Sequence, residues 1–160
     1  MPAIRIEVLI PDFQGHEAPL RTVLDAGPDV LNHNTETVPR LYRLARSGGK
    51  YARTLELLER ARTFAPHIPT KTGIILGMGE TNEEVVAVMK DLRAVDVDIL
   101  TLGQYLRPSD GHIALDRYVT PDEFRRFYEI GMELGFRHVE SGPLVRSSYH
   151  AWEQVQAAGV

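Results

Sequence analysis

The 160-residue chain has no cysteine. That excludes disulfides, thiolate-held zinc and any self-contained iron–sulfur cluster, since each depends on Cys sulfur. No apolar run reaches the roughly 20 residues needed to cross a bilayer. An excess of positive charge is also absent. Lys and Arg number 18 against 22 Asp and Glu, a net charge of −4, so nothing electrostatic favours nucleic acid or an anionic membrane as a partner. The six histidines show no H-x-x-x-H or other metal spacing, which argues against a mononuclear zinc site. Internal repeats, low-complexity tracts and linkers are missing too. Met1-Pro2-Ala3-Ile4-Arg5-Ile6 runs directly into a strand-like segment, with neither a secretory signal nor a transit peptide, and the expected location is cytoplasmic.

What is present is ordinary in bulk. Hydrophobic residues make up 43% and charged ones 25%, and the length suits one domain with a real core. Short apolar segments alternate with longer amphipathic ones. Ile4–Ile10, Val30–Leu31, Thr72–Leu76, Val97–Leu102 and Phe136–Val139 each read as a buried strand ending in polar or glycine residues. Between them, Tyr51, Leu55, Leu58, Ala61 and Phe64 recur at helical spacing, as do Val85, Met89 and Leu92. Thr81 with Glu84 reads as a capping box, and Thr120-Pro121 with Glu123 as a second. Gly111–Tyr118 reads as a connecting loop. The alternation predicts an α/β fold of parallel β/α units. About five units are too few for a closed eight-fold barrel of around 250 residues, so a partial barrel or an open parallel sheet is expected. In a half-barrel the Ile4–Ile10 strand would be an unpaired edge.

In such folds function gathers at the carboxyl ends of the strands. Four ends carry suggestive residues. Asn32-His33-Asn34-Thr35-Glu36-Thr37 offers amides and a carboxylate suited to ribose hydroxyls; the plainer alternative is a polar turn with Thr35 or Thr37 capping the next helix. Gly73-Ile74-Ile75-Leu76-Gly77-Met78-Gly79-Glu80 would let a nucleotide approach the backbone at a strand-to-helix turn, or is simply a tight turn; it is neither G-x-G-x-x-G nor a phosphate loop. Gly103-Gln104-Tyr105-Leu106-Arg107-Pro108 would line a channel through Gln104 and Tyr105, or would merely satisfy its polar groups at a strand end. Arg146-Ser147-Ser148-Tyr149-His150-Ala151 reads, taken alone, as a helix N-cap at Ser147 or Ser148 for a helix through Gln156. Nothing indicates a Ser-His-Asp arrangement there.

Together these segments resemble the lipoyl synthases, a radical S-adenosylmethionine (SAM) family. The Arg146–Ala151 run is similar to that family's RSSYHA signature. Asn32–Thr37 is similar to an Asn-His-Asn-x-Asp/Glu-Thr segment shared with biotin synthases. Gly73, Ile75, Gly77 and Glu80 match the radical SAM pattern G-x-I-x-G-x-x-E, preceded by Lys71 and Thr72 as in lipoyl synthases. Gly103–Pro108 resembles Thr-x-Gly-Gln-Tyr-Leu-x-Pro, and the likeness begins at Glu7–Gly15. The resemblance implies a partial TIM-type barrel over 1–141 and a C-terminal helical extension over 142–160 in one unit. It implies SAM contacts at Asn34, Glu36, Ile75, Gly77 and Glu80, with Ile75 against the adenine and Glu80 shaping the turn. It implies that Ser148 ligates one iron of an auxiliary 4Fe-4S cluster, with Arg146 stabilising negative charge nearby. None of the residues present is assigned as catalytic.

For the intact family the resemblance implies two 4Fe-4S clusters, SAM, and insertion of sulfur at C6 and C8 of a protein-bound octanoyl chain. Implied partners are an octanoylated lipoyl-carrier domain, a flavodoxin or ferredoxin, and the cysteine-bearing N-terminal half. Lacking that half, this chain is expected to be inactive alone. The competing expectations are a non-catalytic SAM- or carrier-binding remnant and a biotin-synthase-like sulfur inserter, the latter disfavoured by the Arg146–Ala151 run.

Overall fold

Each strand expected from the sequence forms, and each pairs in parallel with its neighbour in chain order. The computed structural model describes residues 4–149 together with Glu153, Gln156 and Gly159. The strands are β1 (Glu7–Leu9), β2 (Val30–Asn32), β3 (Thr70–Leu76), β4 (Ile99–Gln104) and β5 (His138–Ser141). They form one five-stranded sheet in the order β1-β2-β3-β4-β5. A strictly sequential order is how a barrel winds; a doubly wound sheet reverses at a switch point. The helices between them are α1 (Glu17–Asp25), α2 (Tyr42–Ala45), α3 (Tyr51–Phe64), α4 (Asn82–Ala94) and α5 (Pro121–Leu134), with short 3₁₀ turns at Phe13–Gly15 and Pro39–Leu41.

The register sorts the sheet into two chemically different faces. Alternate strand residues share a face. On one lie Leu31, Ile74, Leu76, Leu100, Leu102 and Val139, all buried in a core with Leu20, Leu58, Met89, Leu92, Phe124 and Phe127 from the helices. Each such side chain contributes about 1.5–3 kcal/mol by leaving water. The other face follows the rows Leu9–Asn32–Lys71–Ile99–His138 and Gly73–Thr101–Glu140. It carries Asn32, Lys71, His138 and Glu140 beside Leu9 and Ile99, so it is the more polar face, and it is the face that would look into a barrel.

Both expected capping boxes are present. The Thr81 hydroxyl accepts from the Glu84 N–H while the Glu84 carboxylate accepts from the Thr81 N–H, and Thr120 and Glu123 do the same at α5. Helix α3 occupies the expected span, and Gly111–Tyr118 is a loop. The strand boundaries differ. β1 is shorter than Ile4–Ile10 because pairing is limited to the three residues facing Val30–Asn32. β5 starts at His138 because the Phe136 and Arg137 N–H groups are committed to Gly131 and Asp98 carbonyls. β4 runs past Leu102 to include Gly103 and Gln104. Helix α1 carries no side-chain cap, and its Pro19 sits in the first turn, where a missing N–H costs nothing. Glu153 and Gln156 are helical; the rest of the expected C-terminal helix lies outside the described residues.

Candidate functional site

The segment after β2 is fastened from below and left open above. His33 is fully buried, its Nδ1 2.8 Å from the Ile10 carbonyl and its Nε2 3.2 Å from the Thr54 hydroxyl. Burial holds its pKa below the usual imidazole range, so it serves as a neutral strut. The Thr72 hydroxyl donates to the His33 carbonyl at 2.8 Å and lies 2.8 Å from the Thr35 hydroxyl. Thr35 is therefore a cross-strand fastener, and the expected helix-cap role falls to neither threonine: the following 3₁₀ turn starts on Val38 with no side-chain cap, and the buried Thr37 hydroxyl has no partner.

Glu36 adopts a left-handed backbone, φ 71°, uncommon for a residue with a side chain. Two hydrogen bonds hold it there: its N–H donates to the Gly73 carbonyl and its own carbonyl accepts the Ile75 N–H, each at 2.8 Å. Asn34 and Glu36 thereby line a cavity of about 140 Å³ with Gly73, Ile75, Thr101 and Ser147. Burial pushes the Glu36 carboxyl above its usual range, opposed by the Asn34 amide and the Arg46 guanidinium. Arg46 donates to the Asn34 carbonyl at 2.6 Å. The Asn34 Oδ1 is buried with no hydrogen-bond partner. A side chain at position 73 would fill this space, since a Cβ there would lie 2.8 Å from the Thr101 hydroxyl and 3.1 Å from Asn34 Oδ1.

The turn after β3 is organised by Glu80. Its buried carboxylate accepts the N–H of Gly77 at 2.5 Å and of Met78 at 3.0 Å, while Gly77 takes φ 110°. Ile75 borders the first cavity and a second of about 300 Å³ formed with Glu36, Arg46, Met78, Tyr105 and His112.

Gln104 and Tyr105 part company. Gln104 points to the helix side of the sheet. Its Nε2 donates among the carbonyls of Leu76, Tyr105 and Arg117 at 3.0–3.2 Å, and its Oε1 accepts the Val119 N–H at 2.8 Å. The channel expectation does not describe Gln104, because its amide is consumed in holding the 113–119 loop to the strand end; ordinary polar satisfaction does. Tyr105 keeps a face on the second cavity while its hydroxyl donates to the Ile113 carbonyl at 2.8 Å.

The Arg146–Tyr149 segment crosses the polar face. Ser147 reaches the first cavity, and Ser148 beside it is exposed. His150 and Ala151 lie outside the described residues, as does the start of the helix that Ser147 or Ser148 was expected to cap. Among the described residues no three His, Asp or Glu side chains come together as a metal site. With no cysteine present, the donor set does not fit a four-iron cluster on this chain alone. The donor set does fit a nucleoside: an orphaned acceptor, a carboxylate, a glycine cradle and an isoleucine wall. A wider groove of about 450 Å³ between α4 and α5 contains none of these motif residues.

Sequence comparisons give the chain its family. The model of the radical SAM superfamily matches residues 1–92. The chain is 61% identical over 156 residues to a lipoyl synthase of Koribacter versatilis, covering 98% of this chain and 51% of that protein. It is 58% identical over 151 residues to a lipoyl synthase of Caldanaerobacter subterraneus, covering 94% and 53%. The fold is similar to that of methylornithine synthase, with a TM-score of 0.60 at 17% identity over 82% of this chain and 46% of that one. The chain spans about half the length of the curated relatives it matches. It belongs to the radical SAM superfamily, and over nearly its whole length it is similar to lipoyl synthases.

Proposed function

We propose that this chain is the cluster-poor half of a lipoyl synthase, which inserts sulfur at C6 and C8 of an octanoyl group on a carrier-protein lysine. The observation that carries the reading is the unpartnered, buried Asn34 Oδ1 beside Glu36 and Ile75. An orphaned acceptor of this kind costs about 1–3 kcal/mol unless a ligand donor meets it. Asn34 and Glu36 would take the ribose hydroxyls of SAM, Ile75 and the Met78–Tyr105 wall would take the adenine, and Glu80 would hold the turn open through Gly77. When bound, SAM supplies the hydrogen-abstracting power of the reaction. The chain's own share is to bind the nucleoside, keep water from it and orient it along the polar face of the sheet.

The iron chemistry requires cysteines that this chain does not have. In the joined protein Ser148 would give one oxygen ligand to an auxiliary cluster, a harder donor than thiolate and so the more easily released. The partners of the joined protein would be an octanoylated carrier domain and a small electron-transfer protein. Calorimetry with SAM tests the chain as it stands: the expected result is saturable binding weakened by Asn34→Ala. Equal binding by wild type and variant sinks the SAM assignment. Co-expression with the cysteine-bearing half of a relative tests Ser148: Ser148→Ala should alter the Mössbauer signature of one iron site. Zero Cys also keeps a second reading, a SAM-binding remnant without turnover. It predicts the same calorimetry but no deoxyadenosine even after co-expression.

A further inference from the structure

We infer that Lys71 is a positioning residue: its buried ammonium holds the Ser147 carbonyl against the polar face of the sheet and so fixes where the Ser148 hydroxyl stands. Lys71 has no solvent exposure, which is unusual for this residue type and tolerable only if the charge is paired. Its Nζ donates to the Glu7 carboxylate at 2.9 Å and to the Ser147 carbonyl. The other Glu7 oxygen accepts from the Asn32 amide at 2.8 Å, so the carboxylate is itself held in place. The charge thus acts as a rigid post between β1, β2, β3 and the crossing segment.

A second contact meets the same segment one residue earlier than Arg146. A Cβ on Gly103 would collide with the Val145 carbonyl, so the chain lies directly on the β4 backbone there. The Val145 side chain is buried, and the Tyr149 N–H closes a turn on the Arg146 carbonyl at 2.9 Å. Carbonyls 145 and 147 are thus both seated on the sheet, with Ser148 next in line. Loops wander unless tied, and a ligand oxygen must be placed to within about 0.5 Å. A charge-assisted hydrogen bond from a post with no freedom of its own supplies that. The positioning stands on this geometry; its service to an iron ligand rests on the function proposed above.

Trypsin reads the contact directly, because the Arg146–Ser147 bond follows an exposed arginine. Lys71→Met keeps the bulk and removes the donor. The expected result is cleavage after Arg146 about tenfold faster, with the remaining tryptic sites cut at the wild-type rate. Should that variant fail to fold because Glu7 is left unpaired, Lys71→Met with Glu7→Gln removes both charges and should show the same selective acceleration. Unchanged cleavage after Arg146 in whichever variant folds overturns the inference. Uniform acceleration at every site overturns it too, since that is the mark of a residue that merely stabilises the fold. If cleavage accelerates selectively while Ser148→Ala leaves the iron spectrum of the joined protein unaltered, the latch stands and the iron reading falls.

Discussion

The Ile75 N–H donates to the Glu36 carbonyl at 2.8 Å, joining the loop after β2 to the carboxyl end of β3 by a strand-like bridge. Two motifs separated by almost 40 residues of chain are therefore one rigid unit. The bridge explains why Glu36 tolerates φ 71°: the bonds on either side of it determine its conformation more strongly than its intrinsic preference does. It also brings the Asn34 acceptor, the Glu36 carboxylate and the Ile75 side chain to a single wall.

Gly73→Ala should separate binding from folding. The new methyl would lie 2.8 Å from the hydroxyl of the stiff, β-branched Thr101 and 3.1 Å from Asn34 Oδ1, so a neighbour must shift and stability should fall by about 1–3 kcal/mol. The same methyl occupies the cavity proposed for the nucleoside. Calorimetry should show SAM affinity reduced by more than about tenfold, a change that 1.4 kcal/mol of lost contact produces. Wild-type affinity in a folded variant would place the nucleoside elsewhere.

Glu80→Gln and Glu80→Ala should differ. Gln retains one acceptor for the Gly77 or Met78 N–H, whereas Ala leaves both donors buried and unmet. An unmet buried donor costs about 1–3 kcal/mol, so urea unfolding should rank wild type above Gln and Gln above Ala. Equal stabilities would mean that the turn is held by Gly77 and its neighbours alone.

Gln104→Leu should harm stability rather than SAM binding. It keeps the bulk and strands the Val119 N–H and up to three carbonyl partners. Loss of about 2–4 kcal/mol in urea unfolding is expected, with SAM affinity within about twofold of wild type. A variant of wild-type stability would show that the Gln104 amide does not hold the loop and would reopen its place in a substrate channel.

Much of this was legible in the sequence where local chemistry decides the outcome. Thr81 with Glu84 and Thr120 with Glu123 satisfy their N–H groups within one turn, so the letters alone locate the helix starts. The β-branched and leucine runs likewise mark the strands. What was not legible depends on partners distant in sequence. The Thr35 hydroxyl caps nothing because Thr72, 37 residues on, meets it first. Gln104 falls on the helix side of the sheet because β4 runs on through it in phase with Leu100 and Leu102. Lys71 has no legible role until Glu7 and the Ser147 carbonyl converge on it from opposite ends of the chain. Helix α1 was hidden for a different reason: His16 gives it no side-chain cap to announce its start.

Acid should loosen the two capped helices together. The Arg40 guanidinium hydrogen-bonded to Glu84 holds that carboxyl at about 2, well below its ordinary 4.5. Arg117 does the same for Glu123, also at about 2. Because both folded values lie below the unfolded ones, the stability these groups confer is complete above the ordinary carboxylate range. It declines as pH falls from there toward 2, and it is gone once the folded forms are protonated as well. The thermal midpoint should therefore show no contribution from them to its slope between pH 7 and about 5 and fall below that. Glu84→Gln with Glu123→Gln keeps an acceptor at each box but cannot titrate. The double variant should be less stable than wild type at pH 7 and lose less on acidification, so that the two curves converge near pH 2. Parallel curves over the whole range would show that other carboxylates govern the acid response.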